Sequence, residues 1–270
     1  MTPIPEAGLE HALRRVRAAQ AVLVIVEAAP ATLAIGRSNC LSAAEEARAA
    51  RFIRESDRRL SRAAHALKRH VLSQLLDCTA EALPLIPGIH GRPGLGAAAL
   101  DYDFNISHSG GHVAFALVRG MRLGVDLETT SVQPADIMTT ISVPDEAAKF
   151  PGIEGFRALW SLKEAVSKAI GTGLGEGFPG LRLTTQADQV ENQGTRYRCN
   201  GWHCRQWGLD GPGLEDGIGL RDNIGSLALA TSRSNMPIVL WLAGRWFSDP
   251  DPEVPVIPVV PIIAPSVGWS

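Results

Sequence analysis

Cysteine is scarce in this chain of 270 residues, with four, at positions 40, 78, 199 and 204. So few, so widely spread, exclude a disulfide framework and suit a reducing, cytoplasmic setting. An excess of one charge is also missing. Lys and Arg number 26 against 28 Asp and Glu, a formal net charge of −2. Bulk attraction to nucleic acid is thereby excluded, and any anion must be met by a local patch. No long apolar run occurs either. The most apolar early stretch, 21–35, is interrupted by Glu27 and Pro30 and is too short to cross a bilayer. No basic stretch leads into an apolar one near residue 1, so neither a signal peptide nor a membrane partner is expected. What is present is ordinary for a soluble globular protein: 45% hydrophobic and 20% charged residues, enough for one large domain or two small ones.

Val22 to Val26 reads as a β-branched strand. Ser42-Ala43-Ala44-Glu45 has the spacing of a capping box and predicts a helix through about Ile53. A second helix, capped by Ser56, is expected from Asp57 to about Leu76, with Leu60, Ala64, Leu67, Val71 and Leu75 at helical spacing. The prolines and glycines from Pro84 to Gly96 mark a long loop. Phe104–Ser107, His112–Val118 and Leu123–Glu128 then read as strands, followed by a helix from Gly155 to Ile170. Leu181–Thr184, Ile224–Thr231 and Ile238–Leu242 read as later strands, while 190–217 is polar and takes no assignment. The order predicts an α+β protein of two comparable halves, 1–122 and 123–248, with a Pro-rich tail over 249–270. In that tail Pro252, Pro255, Pro258 and Pro261 recur with the period of polyproline II; the tail is either disordered or a strap on the folded body.

Three constellations carry chemistry. In Gly124-Val125-Asp126-Leu127-Glu128, strand alternation sends Asp126 and Glu128 to one face. Paired carboxylates repel unless a cation or proton sits between them, and hard oxygens suit Mg²⁺; the plainer reading is an acidic solvent face. In the second helix of interest, Phe156, Leu159, Leu162, Val166 and Ile170 form an apolar stripe. Arg157, Ser161, Glu164 and Lys168 line the opposite side, either as a solvated ion pair or as a ligand and a phosphate-neutralising cation. In Asp103-Phe104-Asn105-Ile106-Ser107-His108-Ser109, the polar residues alternate with the apolar ones and end at a glycine turn. Their donors suit an anion, or they simply cap a strand end. Adjacent Ser107 and His108 point to opposite faces, which argues against a nucleophile pair. Cys199, His203 and Cys204 lack the second ligand pair of a structural zinc site.

Together these segments resemble the 4′-phosphopantetheinyl transferase superfamily, in its larger, monomeric class that activates peptide and polyketide synthases. The resemblance covers about Leu41 to Leu174. It rests on Phe104-Asn105-Ile106-Ser107-His108-Ser109, Gly124-Val125-Asp126-Leu127-Glu128 and Trp160-Ser161-Leu162-Lys163-Glu164-Ala165 with Lys168, in that order. It implies a pseudo-dimer of two similar α/β halves with coenzyme A in the cleft between them and an acidic carrier protein as partner. It further implies Asp126, Glu128 and Glu164 as magnesium ligands, with Glu164, Lys168 and Asp126 as the catalytic set. Ser107, His108, Lys163 and Lys168 match residues that contact the coenzyme A phosphates. Gly91-Arg92-Pro93 stands where the family has Gly-Lys-Pro at the nucleotide, so Arg92 and Pro93 fall at that contact with Arg in place of Lys. Near the family's early basic positions for the 3′-phosphate stand Arg48 and, at another, Glu45, with Arg54 as a substitute. Arg58, Arg62 and Arg69 share a helical face that would meet the acidic partner.

Overall fold

Residues 4–29, 32, 40–88, 91–129, 135–171, 177–185, 195–209, 225–234, 236–242 and 245–248 are described in the computed structural model. The first part of the chain runs α1 (Glu6–Arg17), β1 (Val22–Ala28), α2 (Ala43–Ala50), α3 (Glu55–Leu76), β2 (Leu85–Pro87), β3 (Pro93–Leu95), β4 (Tyr102–Ser109) and β5 (His112–Arg119). There follow β6 (Leu123–Glu128), α4 (Ala135–Ile141), α5 (Pro144–Ala147), α6 (Gly152–Ile170), β7 (Leu183–Thr185), β8 (Thr195–Cys199) and β9 (Trp202–Gly208). The last elements are β10 (Ser226–Thr231), β11 (Ile238–Leu242) and β12 (Arg245–Ser248).

β1 is buried at every position, as a strand with layers on both faces must be. Its Leu23 and Ile25 face α1 and α3, packing on Leu9, Leu13, Leu67 and Val71. Its Val22, Val24 and Val26 face the other way, toward a second sheet. Among the described residues the strands form two five-stranded sheets, β12-β11-β1-β5-β4 and β6-β10-β9-β8-β7, plus the β2-β3 ribbon. Val125, Leu127, Leu227 and Leu229 of the second sheet meet Ala114, Ala116 and Val118 of the first. On the far side of the second sheet, α6 buries Leu159, Leu162, Ala165, Val166 and Ala169 against Ala228 and Ala230. The result is a helix–sheet–sheet–helix stack, the expected α+β architecture of two α/β halves.

The two sheets are joined along one seam by side chains in place of backbone. β4 and β6 are edge strands of different sheets. Alternate residues of β4 accept the outward N–H groups of β6: Leu123 to Asp103 at 2.9 Å, Val125 to Asn105 at 3.0 Å, Leu127 to Ser107 at 3.3 Å. A fourth rung carries on past the strand, from Thr129 to Ser109 at 3.2 Å. Each acceptor precedes its donor by twenty residues. Edge N–H groups left bare would cost about 1–3 kcal/mol each once buried, and the ladder removes that cost.

Several expectations shift. The capping box at Ser42 and Glu45 forms, but its helix ends at Ala50 instead of Ile53. The next helix starts at Glu55 with Arg54 in the cap position, while the Ser56 hydroxyl donates to Asp57. The supposed loop of 84–96 contains the β2-β3 ribbon. The unassigned 190–217 region holds β8 and β9. Residues 238–248, expected in the second half, return to the first sheet, where β11 lies parallel to β1. There the Trp241 indole donates to Glu27 at 2.9 Å, which supplies the partner this buried acid needs. The Pro-rich tail lies outside the described residues.

Gly124 is where α6 and β6 come closest. A Cβ there would stand 2.0 Å from the Ala165 carbonyl oxygen and 2.6 Å from the Ala169 nitrogen, both backbone atoms that cannot step aside. Gly124→Ala is therefore expected to lower stability by about 1–3 kcal/mol or more through overpacking, read by urea denaturation.

Candidate functional site

The ladder delivers Ser107 to Asp126. The Ser107 hydroxyl donates to Asp126 Oδ1 at 2.8 Å, and Lys168 Nζ reaches the same oxygen at 2.6 Å and Ser107 Oγ at 2.9 Å. The other oxygen, Oδ2, is buried with no hydrogen-bond partner. Burial pushes the Asp126 carboxyl up despite Lys168 and Ser107, and the charge of Glu128 pushes it further. Glu164 lies one turn before Lys168 on α6 and is 7% exposed. Burial raises its carboxyl to about 7, with the charges of Asp126 and then Glu128 adding to the rise against Lys168. The polar side of α6 is thus not a solvated face. It is pressed onto β6 and β10, where Ser161 Oγ also meets Ser226 Oγ at 2.8 Å.

Three acids in one another's field and one orphaned oxygen describe a site short of positive charge. Among the described residues no three His, Cys, Asp or Glu side chains stand close enough to enclose a metal ion. The donor chemistry nonetheless fits a hard divalent cation, because carboxylate oxygens are its natural ligands and Asp126 Oδ2 needs a partner.

His108 sits on the opposite face of β4 from Ser107, edge-on to Phe52 with ring centroids 6.5 Å apart. Burial, then Lys168, holds its imidazole below the usual range, so it is neutral at pH 7. Arg48 is exposed on α2 near this histidine, and Arg54 is exposed at the start of α3. Pro93 lies in β3, paired with Pro87.

Two expected ligand contacts are otherwise employed. Arg92 is a clamp between the halves: its guanidinium grips Asp103 at 2.8 Å and the carbonyls of Leu123, Phe104 and Lys168. Both terminal nitrogens thus donate to protein acceptors. Lys163 is fully buried on the other side of α6, donating to Glu146 at 2.5 Å and to the carbonyls of Ile141 and Phe178. It anchors α4 and α5 and cannot touch a phosphate. Two basic expectations also change. Arg69 is buried on Glu45 at 2.6 Å, and Arg62 is paired with Glu46 at 2.9 Å, so the predicted stripe is partly neutralised. Glu45 itself is an internal counter-ion. Burial alone would raise its carboxyl, but Lys68 and Arg69 hold it down to about 2. Cys199 and Cys204 are buried core residues, and burial lifts the Cys199 thiol to about 12.

Sequence reasoning missed the acceptor role of Asp103 and Asn105 and the pairing of Glu146 with Lys163. The first was visible as polar residues at every second position facing an acidic strand; the second had no local signal.

Two family models match the chain. The one described as the 4′-phosphopantetheinyl transferase superfamily covers residues 122–216, and the one described as 4′-phosphopantetheinyl transferase, N-terminal, covers 32–119. A 4′-phosphopantetheinyl transferase of Synechocystis is 30% identical over 156 residues, which is 53% of this chain and 62% of that protein. The L-aminoadipate-semialdehyde dehydrogenase-phosphopantetheinyl transferase of Schizosaccharomyces pombe is 29% identical, over 50% of this chain and 60% of its own. Its namesake from Xenopus laevis is 25% identical, over 51% and 52%. The aligned part thus spans between half and about six-tenths of these relatives' length.

Two outcomes follow from the buried charges. Lys163→Met leaves Glu146 buried without its cation and is expected to cost about 3–5 kcal/mol in urea denaturation. For Glu164, the folded value near 7 lies above the ordinary 4.5, so the folded protein holds a proton that the unfolded chain gives up. The stability that this proton contributes is then lost as pH rises from about 4.5, and is gone above about 7. Glu164→Gln removes that loss. In metal-free buffer it is expected to melt ~3 °C or more above the parent at pH 8, with the gap closing toward pH 4.5.

Proposed function

Because the chain belongs to the 4′-phosphopantetheinyl transferase superfamily, we propose that it moves the 4′-phosphopantetheine group of coenzyme A onto a serine of an apo carrier protein, releasing 3′,5′-ADP. The observation that carries this reading is the orphaned Asp126 Oδ2 beside Glu164 and Lys168. Asp126, Glu128 and Glu164 would hold Mg²⁺, which when bound supplies the charge neutralisation a diphosphate needs.

The remaining work falls to side chains. The serine oxygen forms a bond to the phosphorus that carries pantetheine, and the bond from that phosphorus to the bridging oxygen breaks. Glu164, with a carboxyl poised near 7, takes the serine proton. Lys168 faces the charge that grows on the departing phosphate, as phosphoryl transfer demands. Ser107 holds Lys168 and Asp126 in register for this. His108 and Arg48, which lie in each other's field, would meet further phosphate oxygens.

An acidic carrier fits the outer surface of the same region. Arg51, Arg54 and Arg59 are exposed there, and Ile53 is 94% exposed among them. Cation and apolar side chain together suit an acidic helix with a hydrophobic contact. The names of the fission-yeast and frog relatives join aminoadipate-semialdehyde dehydrogenase to phosphopantetheinyl transferase, so a carrier domain of a multidomain enzyme is the first to try. Both halves come from one chain, which supports a monomer as the acting form. Its unpaired cysteines suit the cytoplasm. No helix among the described residues is long and apolar enough to cross a membrane.

The test is mass spectrometry of apo-carrier proteins after incubation with coenzyme A and Mg²⁺. A phosphopantetheine mass gain is expected, lost on adding EDTA. Asp126→Ala and Glu164→Ala are expected to lower the rate by ~10²-fold or more while folding normally. Coenzyme A turnover without a carrier, or near-normal transfer by a folded Glu164→Ala variant, would overturn the assignment.

A further inference from the structure

The inner face of the second sheet does not end where the first sheet stops covering it. Along β9, alternate residues His203, Arg205 and Trp207 share that face, and Trp207 lies in the core between the sheets with Leu209 just past the strand. Beyond the core the same face turns basic. Across the β8–β9 pair, Arg196 stands opposite Arg205 and Arg198 opposite His203. Two guanidinium groups placed directly across an antiparallel pair, as in Arg196 and Arg205, work against the pairing. Here they line a cavity of about 450 Å³, joined by Arg233 from the segment after β10. Val22, Met236 and Ile238 form an apolar wall contributed by the first sheet and its approach. Among the described residues that line it there is no Asp or Glu.

The groups are held in place. Arg198 donates to His203 Nε2 at 2.6 Å, which fixes the guanidinium and leaves the ring neutral. Thr231, at the end of β10, is pinned by its hydroxyl to the Arg233 carbonyl at 2.9 Å, which sets where Arg233 leaves the sheet. The volume is that of a small-molecule pocket, and planar guanidinium forks match phosphate oxygens.

This cavity is not the acidic site. β10 pairs Ser226 with Glu128 at one end and Thr231 with Leu123 at the other, and Thr231 also pairs with His203. The two ends of the strand are ~17 Å apart at the usual rise per residue. Asp126 and Glu128 also face α6, on the opposite side of the sheet. We propose that this basic cavity binds a phosphorylated small molecule, with the phosphate on Arg198 and Arg233 and the organic part against Val22, Met236 and Ile238. Such a ligand touches both sheets, so it stabilises their packing when bound. The inference stands independently of the transfer reaction.

The experiment is calorimetric titration of the full chain with phenyl phosphate and with inorganic phosphate, alongside thermal melting. Saturable binding of phenyl phosphate is expected, tighter than that of inorganic phosphate and with a raised melting temperature. Arg198→Glu and Arg233→Glu are expected to weaken it at least tenfold, about 1.4 kcal/mol, while Lys168→Ala leaves it unchanged. Arg233 is exposed, so its substitution decides the matter if Arg198→Glu fails to fold. Transfer to a carrier protein by Arg233→Glu is expected to stay at the parent rate. No saturable binding, binding insensitive to Arg233→Glu, loss with Lys168→Ala, or binding of a polyglutamate peptide in place of phenyl phosphate would each overturn the proposal.

Discussion

The acidic site exists because one edge strand is completed by side chains of another. β6 must present Asp126 on one face, pack Val125 and Leu127 on the other, and still satisfy an open row of N–H groups. Pairing it with backbone would have fused the two sheets into one. The alternating acceptors of β4 satisfy the row while leaving the sheets free to stack. The register is unforgiving, since a slip of one residue would turn apolar Phe104 and Ile106 toward those N–H groups. Ser107 illustrates the economy of this arrangement. Its one oxygen accepts from Leu127 N–H and Lys168, and its proton goes to Asp126.

Charge burial follows from that geometry. Asp126 and Glu164 are brought into the space between a sheet and its covering helix, where water screens them poorly, with half-buried Lys168 at its edge. The fold carries the cost with neutralised pairs elsewhere. Glu45 is matched by Lys68 and Arg69, Lys163 by Glu146, and Asp103 by Arg92. Around Asp126 the acids outnumber the cations. An excess of buried carboxylate at one place suits a cation as its neutralising partner.

Much of this could be read from residue order. Asp126 and Glu128 on one strand face, the capping box at Ser42, and the helix bearing Glu164 and Lys168 are local patterns, fixed by periodicities of two and about four residues. Helix α1 was also within reach, since Leu9, Leu13 and Val16 fall at helical spacing. What escaped were side chains whose role is set by distant partners. Arg92 and Lys163 look like phosphate-binding cations in any local reading. Arg92 is committed to carbonyls up to 76 residues away and Lys163 to Glu146, and no window of sequence shows that. The return of β11 to the first sheet was hidden for the same reason. Its strand character was plain, but its neighbour is set by packing.

That return bears on how the molecule is made. β1 is an early strand, yet its parallel neighbour is β11, more than two hundred residues later. Until that segment leaves the ribosome, the nascent N-terminal portion keeps one flank of β1 open and Glu27 without its indole partner. Such a portion is prone to sticking and is not an autonomous folding unit. Long-range pairing of this kind also slows folding, because a large loop must close before the contact is formed. Separating the polypeptide at the seam between its two sequence-matched regions would therefore yield fragments that must recombine to become stable.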